Sequence, residues 1–235
     1  MRIVFATDLS EASGAAIRSR TCLECLDRIG VDEVHLVTGL SANVGMPGAG
    51  LERSRRRTLD AQREVFESEG FSVETHVVRG EPHRRINGIA EHVGAEMIVV
   101  GSRGRSPLEN RLVGSTTLNV ARTSVRPLLV ERIAANDDGP VVVREHLFEH
   151  VLFATDFSEN AERAFEFIPT LYGPTQRVTL LNVVGPEGRD RGLTSAEARE
   201  RLEHSPRTSR RQGSKPRCRS GRAAWPTGYS PRRNG

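Results

Sequence analysis

Short apolar runs alternate with amphipathic stretches along the first 132 residues. Arg2–Thr7 (RIVFAT), 33–38 (EVHLVT), 71–78 (FSVETHVV), 97–100 (MIVV) and the run from Pro127 to Val130 (PLLV) read as strands. Most are apolar without alternation, as in strands buried on both faces. Between them, Ala15, Ile17, Cys22 and Leu26 recur at helical spacing up to Gly30. Leu59, Val65 and Phe66 mark a second helix within 51–70. Ile86, Ile89, Ala90 and Val93 mark a third, opened by Gly80-Glu81-Pro82 with proline in the first turn. A fourth helix spans 115–124. Alternating β and α units predict an α/β fold, a parallel sheet with helices on both faces and right-handed crossovers. In such sheets ligands bind beyond the carboxyl ends of the strands, where the strand order reverses.

One stretch carries candidate chemistry. The fourth strand breaks on Gly101, Gly104 follows after two residues and Gly114 after nine more, and Ser115, Thr116 and Thr117 head the next helix. Glycine lets backbone approach a ligand closely and tolerates positive φ. A helix's first turn offers unpaired N–H donors and the positive end of its dipole, so this arrangement suits phosphate. Asp8 closes the first strand. If strands one and four are neighbours, Asp8 faces the glycine loop. Structural readings stand beside these: Asp8 as a helix cap, Gly101 and Gly104 as turn glycines, Arg103 and Arg105 as solvated charges. Ser115 is expected to cap its helix in either case. The chain has no G-x4-G-K-[ST] sequence, and no carboxylate pair or Ser/His/Asp order stands out.

The opening pattern returns. IVFATDLSE at 3–11 is matched by VLFATDFSE at 151–159, after a linker around 133–140. The second copy is expected to stop after Val184, with no second glycine motif and no third strand. Residues 205–235 are rich in arginine, serine, glycine and proline and lack apolar periodicity. Such a segment is expected to be disordered, an end outside the evolved fold such as an out-of-frame reading. A basic arm for nucleic acid and an arm ordered against the body are the alternatives. Ten of the 34 Lys/Arg residues lie in 201–235 against one acid, Glu203, so the net charge of +4 belongs to the tail and not to the body. Cys22, Cys25 and Cys218 make an odd set with no secretory h-region before them, which argues against a disulfide framework. Cys22-x-x-Cys25 reads as a pair of buried mid-helix thiols. No run is long enough to span a bilayer, and a cytoplasmic location is expected.

On these residues the chain resembles a tandem universal stress protein with a complete first repeat and a truncated second. The spacing G-x2-G-x9-G-[S/T] (Gly101, Gly104, Gly114, Ser115), the Ala6-Thr7-Asp8 strand end and the Gly80-Glu81-Pro82-His83 turn carry the resemblance. It implies a Rossmann-like (adenine nucleotide alpha hydrolase-like) fold, with a five-stranded parallel sheet in the order 3-2-1-4-5. The implied layout is a complete domain at 1–132, a linker at 133–148, a partial repeat at 149–204 and a basic tail at 205–235. It also implies ATP, with or without Mg2+, at the strand ends. Asp8 would contact the adenosine side, flanked by Ala6 and Thr7, and the Gly39 backbone would meet adenine. Val100 and Gly101 would line the ribose and phosphate region, beside Arg103. Gly104, Gly114, Ser115 and Thr116 would receive the phosphates. The fifth strand, from Pro127 to Val130, would present an unpaired edge and form a homodimer. The resulting expectation is an ATP-binding stress-response regulator with at most slow hydrolysis, with an adenine-nucleotide hydrolase or transferase and a nucleotide-free interaction module as alternatives. One nucleotide site per chain is expected, and nucleic acid could engage only through the tail.

Overall fold

The computed structural model describes residues 1–40, 49–104, 114–136, 139–142, 147–184, 195–204 and 217–222. The glycine-rich stretch 41–48, the loop 105–113 with Arg105, and tail residues 205–216 and 223–235 lie outside the described residues. The chain divides into two compact units, Met1–Leu147 and Phe148–Gly235.

In the first unit β1 (Arg2–Thr7), β2 (Glu33–Leu40), β3 (Ser72–Arg79), β4 (Met97–Gly104) and β5 (Leu128–Asn136) form the parallel sheet that the pattern predicts, in the order 3-2-1-4-5 that the family resemblance implies. β6 (Gly139–Val142) adds an antiparallel sixth strand. One face is covered by α4 (Pro82–His92) and α5 (Ser115–Thr123), where Val4, Val37, Ile98 and Val100 meet Ile86, Ala90 and Val120. Asn87 Nδ2 donates to Thr123 Oγ1 at 2.8 Å and ties the two helices together. The alternate residues Phe5 and Leu36 are fully buried on the opposite side, where Phe66 of α3 (Ala49–Ser68) meets Phe5 edge-on at 5.4 Å. Apolar burial on both faces is why these strands do not alternate.

Three local expectations change. The first helix breaks into α1 (Glu11–Ile17) and α2 (Arg20–Arg28), because the Ser19 side chain accepts from Cys22 N and caps a new helix. Cys22 therefore sits in the first turn of α2 rather than mid-helix. Burial against the Glu131 carboxylate still pushes its thiol pKa up, and burial raises Cys25 as well, so both are inert core thiols. β4 runs on to Gly104, because Gly101 to Gly104 pair with Glu131 to Ala134 of β5. β5 also outruns its apolar core, and β6 pairs with Ile133 to Asn136. The stretch expected as a linker thus contributes strand, while β6 leaves the edge expected to be open, from Pro127 to Val130, without a partner strand among the described residues.

The second unit holds β7 (His150–Ala154), α6 (Glu159–Phe165), β8 (Arg177–Val184), α7 (Ser195–His204) and β9 (Arg217–Arg222), with the three parallel strands in the order β7-β8-β9. β9 corrects the expectation of a wholly disordered tail and of no third strand. Strand pairing uses backbone N–H and C=O groups, which an arginine-rich segment has as fully as an apolar one. The open edge of β8 supplies the partners, from Thr179↔Arg217 to Val184↔Arg222.

Candidate functional site

The strand order reverses between β1 and β4, which are parallel, hydrogen-bonded neighbours with Ala6 opposite Val100. On the other side of β1, Thr7 lies opposite Thr38. Asp8, Gly39 and Gly101 therefore lie near one another toward the carboxyl ends of three adjacent strands, with β4 running three residues past Gly101.

The turn after β1 is built from side chains. Thr7 is buried, and its Oγ1 lies 3.1 Å from Ser13 Oγ and 2.9 Å from Gln62 Oε1 while accepting from Leu9 N at 3.0 Å. Asp8 is exposed, and its Oδ1 accepts from Ser10 N and from Ser13 Oγ, each at 2.9 Å. Ser10 caps α1 by accepting from Ser13 N. Leu9 takes a positive φ of 61°, a conformation uncommon outside glycine that this network holds in place. Gln62 and Ser13 are both buried and brace this turn, although neither is marked in the sequence.

The glycines act differently from one another. None of Gly39, Gly101 and Gly114 has positive φ. A Cβ at Gly101 would lie 3.0 Å from Ile133 Cδ1, so this glycine permits close packing on β5. A Cβ on Gly39 would make ordinary contact with Pro82 at 3.8 Å, and one on Gly114 would meet nothing within 4 Å. Gly104 and Arg103 lie in the backbone of β4. Gly114, not Ser115, is the N-cap of α5, with φ −66° and ψ 157°, and among the described residues no side chain caps that helix. Ser115 and Thr116 thus begin the helix itself. The Gly114 carbonyl accepts from Leu118 N at 2.9 Å, while the first-turn N–H groups have no capping side chain among the described residues. A loop-to-helix start of this kind suits an anion.

A sequence model of the universal stress protein family matches residues 1–132. The chain belongs to the universal stress protein family. It is 27% identical over 150 residues to universal stress protein MJ0577 of Methanocaldococcus jannaschii, covering 55% of this chain and 93% of that protein. It is 36% identical over 76 residues to universal stress protein YxiE of Bacillus subtilis, covering 32% of this chain and 51% of that one. A crystal structure of a universal stress protein from Archaeoglobus fulgidus superposes with a TM-score of 0.63 at 22% identity, over 94% of this chain and 77% of the other, a likeness of fold.

Proposed function

We propose that this universal stress protein is a cytoplasmic, ATP-binding regulator with one nucleotide site, at the carboxyl ends of β1, β2 and β4. Asp8, with Ala6 and Thr7 beside it, holds the adenosine side, and the Gly39 backbone faces the base. Val100, Gly101 and Arg103 line the sugar and phosphate region, and Gly104, Gly114, Ser115 and Thr116 receive the phosphates. The observation that carries this reading is the adjacency of the Asp8 turn and Gly101 across the reversal point, with the Gly114-capped start of α5 following the same strand. The half-sheet from β7 to β9 is a second, partial repeat that lacks a glycine motif. We further propose a homodimer through the part of β5 that β6 leaves unpaired, from Leu128 to Val130.

Mass spectrometry of ligand released from natively purified protein tests the assignment. Adenine nucleotide is expected from the wild type and absent from Gly114→Val. This variant adds bulk at the phosphate end where a Cβ meets nothing, so the fold is retained. No released nucleotide and no thermal shift on adding ATP, with or without Mg2+, would refute the reading. Light scattering at ~10 µM checks the dimer, and a monomer there would rule it out.

A further inference from the structure

Away from the proposed nucleotide site, toward the amino-terminal ends of β2 and β3, four side chains project from one sheet face. Glu33 and His35 lie two apart on β2, and Glu74 and His76 two apart on β3, with His35 directly opposite Glu74. His35 Nδ1 and His76 Nε2 are 2.9 Å apart. Glu74 Oε2 lies 3.5 Å from His35 Nδ1, and Glu74 Oε1 lies 3.8 Å from His76 Nε2. One ligand atom from each of the three residues fits within 4.8 Å of the others. Ligands bound tetrahedrally at about 2.0–2.2 Å stand about 3.3–3.6 Å from one another, and the observed separations bracket that value.

The fourth residue settles which histidine nitrogen is available. Glu33 is paired with Arg2 at 2.6 Å, so its carboxylate only accepts. His35 Nε2 lies 2.9 Å from Glu33 Oε1 and must therefore carry the proton. That leaves the Nδ1 lone pair aimed at His76. A carboxylate that fixes the tautomer of a histidine in this way is the usual outer support of a metal ligand. The His35 side chain is 3% exposed and that of Glu74 is 65% exposed, so the cluster has a fixed inner wall and a solvent-facing entrance.

We infer that His35, His76 and Glu74 form a binding site for Zn(II), with Glu33 as the positioning residue and a fourth position open to water. Two neutral imidazoles and one carboxylate form a donor set suited to this ion. Bound there, Zn(II) would tie the edge strand β3 to β2 without touching the nucleotide site.

The test is titration of chelator-stripped full-length protein with ZnCl2, in competition with a chromophoric chelator, together with Co(II) absorption spectra. One ion per chain is expected, with Kd at or below about 1 µM and Co(II) d–d bands of four-coordinate strength. His76→Gln and the surface variant Glu74→Gln should each weaken binding, His76→Gln by at least about 100-fold, while both still bind ATP. Glu33→Ala should weaken it by about 10–100-fold and shift the Co(II) bands, and Glu33→Gln, which keeps an acceptor for His35, should restore most of the affinity. The proposal fails if the wild type takes up no zinc at ~10 µM or if His76→Gln and Glu74→Gln both bind unchanged. It also fails if Co(II) shows the intense charge-transfer band of thiolate ligation at Cys22 and Cys25.

Discussion

The turns at 7–10 and 155–158 have nearly the same local build but different surroundings. In each, a threonine Oγ1 accepts from the residue two positions on, Leu9 N at 3.0 Å and Phe157 N at 2.9 Å. In each, an aspartate Oδ1 accepts from a serine N–H at 2.9 Å, and that serine caps the next helix. Leu9 and Phe157 even share positive φ, 61° and 59°. Short-range sequence therefore suffices for the turn. The surroundings separate the two. Val4, inside a sheet flanked on both sides and covered by α4, is 0% exposed, whereas Leu152 at the matching position of β7 is 62% exposed. Ser13, which bridges Thr7 and Asp8, corresponds to Ala161. The first turn, unlike the second, has a β4 with a helix after it standing beside β1, which is what the proposed site requires.

The largest expected effect comes from a residue that only the fuller sheet contains. Glu131 on β5 is 1% exposed, and neither carboxylate oxygen has a hydrogen-bond partner among the described residues. Burial raises its pKa from 4.5 to about 7, against a lowering influence of the neighbouring Cys22 thiol. The folded state thus holds the proton more tightly than the unfolded state, and stability falls as pH rises from about 4.5 to about 7. Glu131→Gln removes this cost. The variant should be more stable than wild type above pH 7, by up to about 3 kcal/mol, and equal to it near pH 4.5. Denaturant midpoints across that range check the prediction, and a pH-independent difference would reject it.

Next is the matched pair. Val4→Ala should cost about 2 kcal/mol of unfolding free energy, through lost burial and a residual cavity. Leu152→Ala should change stability by less than about 0.5 kcal/mol. Equal losses would mean that both strands are equally enclosed in solution. Ser13→Ala, which makes the first turn resemble the second, should cost about 1 kcal/mol, and Ala161→Ser should give no such loss. The smallest effect is at Gly39→Ala, within about 0.5 kcal/mol, because a Cβ there makes only ordinary contact with Pro82.

The strands and the β1 turn were legible because apolar runs and Thr-Asp-x-Ser are local signals, whereas the strand order followed only from the family resemblance. Gln62 was not, since a buried polar residue in an arginine- and glutamate-rich helix has the same sequence signature as an exposed one. The extension of β5 was hidden by Glu131 and Arg132, charges that interrupt an apolar run without interrupting backbone pairing. β9 was hidden for the same reason. The helix cap moved from Ser115 to Gly114 because the backbone turns one residue earlier than side-chain chemistry suggests.

The most direct test of a single site in the first unit is ATP titration by calorimetry of the wild type, Asp8→Ala and Asp156→Ala. One ATP per chain is predicted, with affinity weakened at least about 10-fold, or about 1.4 kcal/mol, by Asp8→Ala and unchanged by Asp156→Ala. Two ATP per chain, or loss of binding on Asp156→Ala alone, would contradict it.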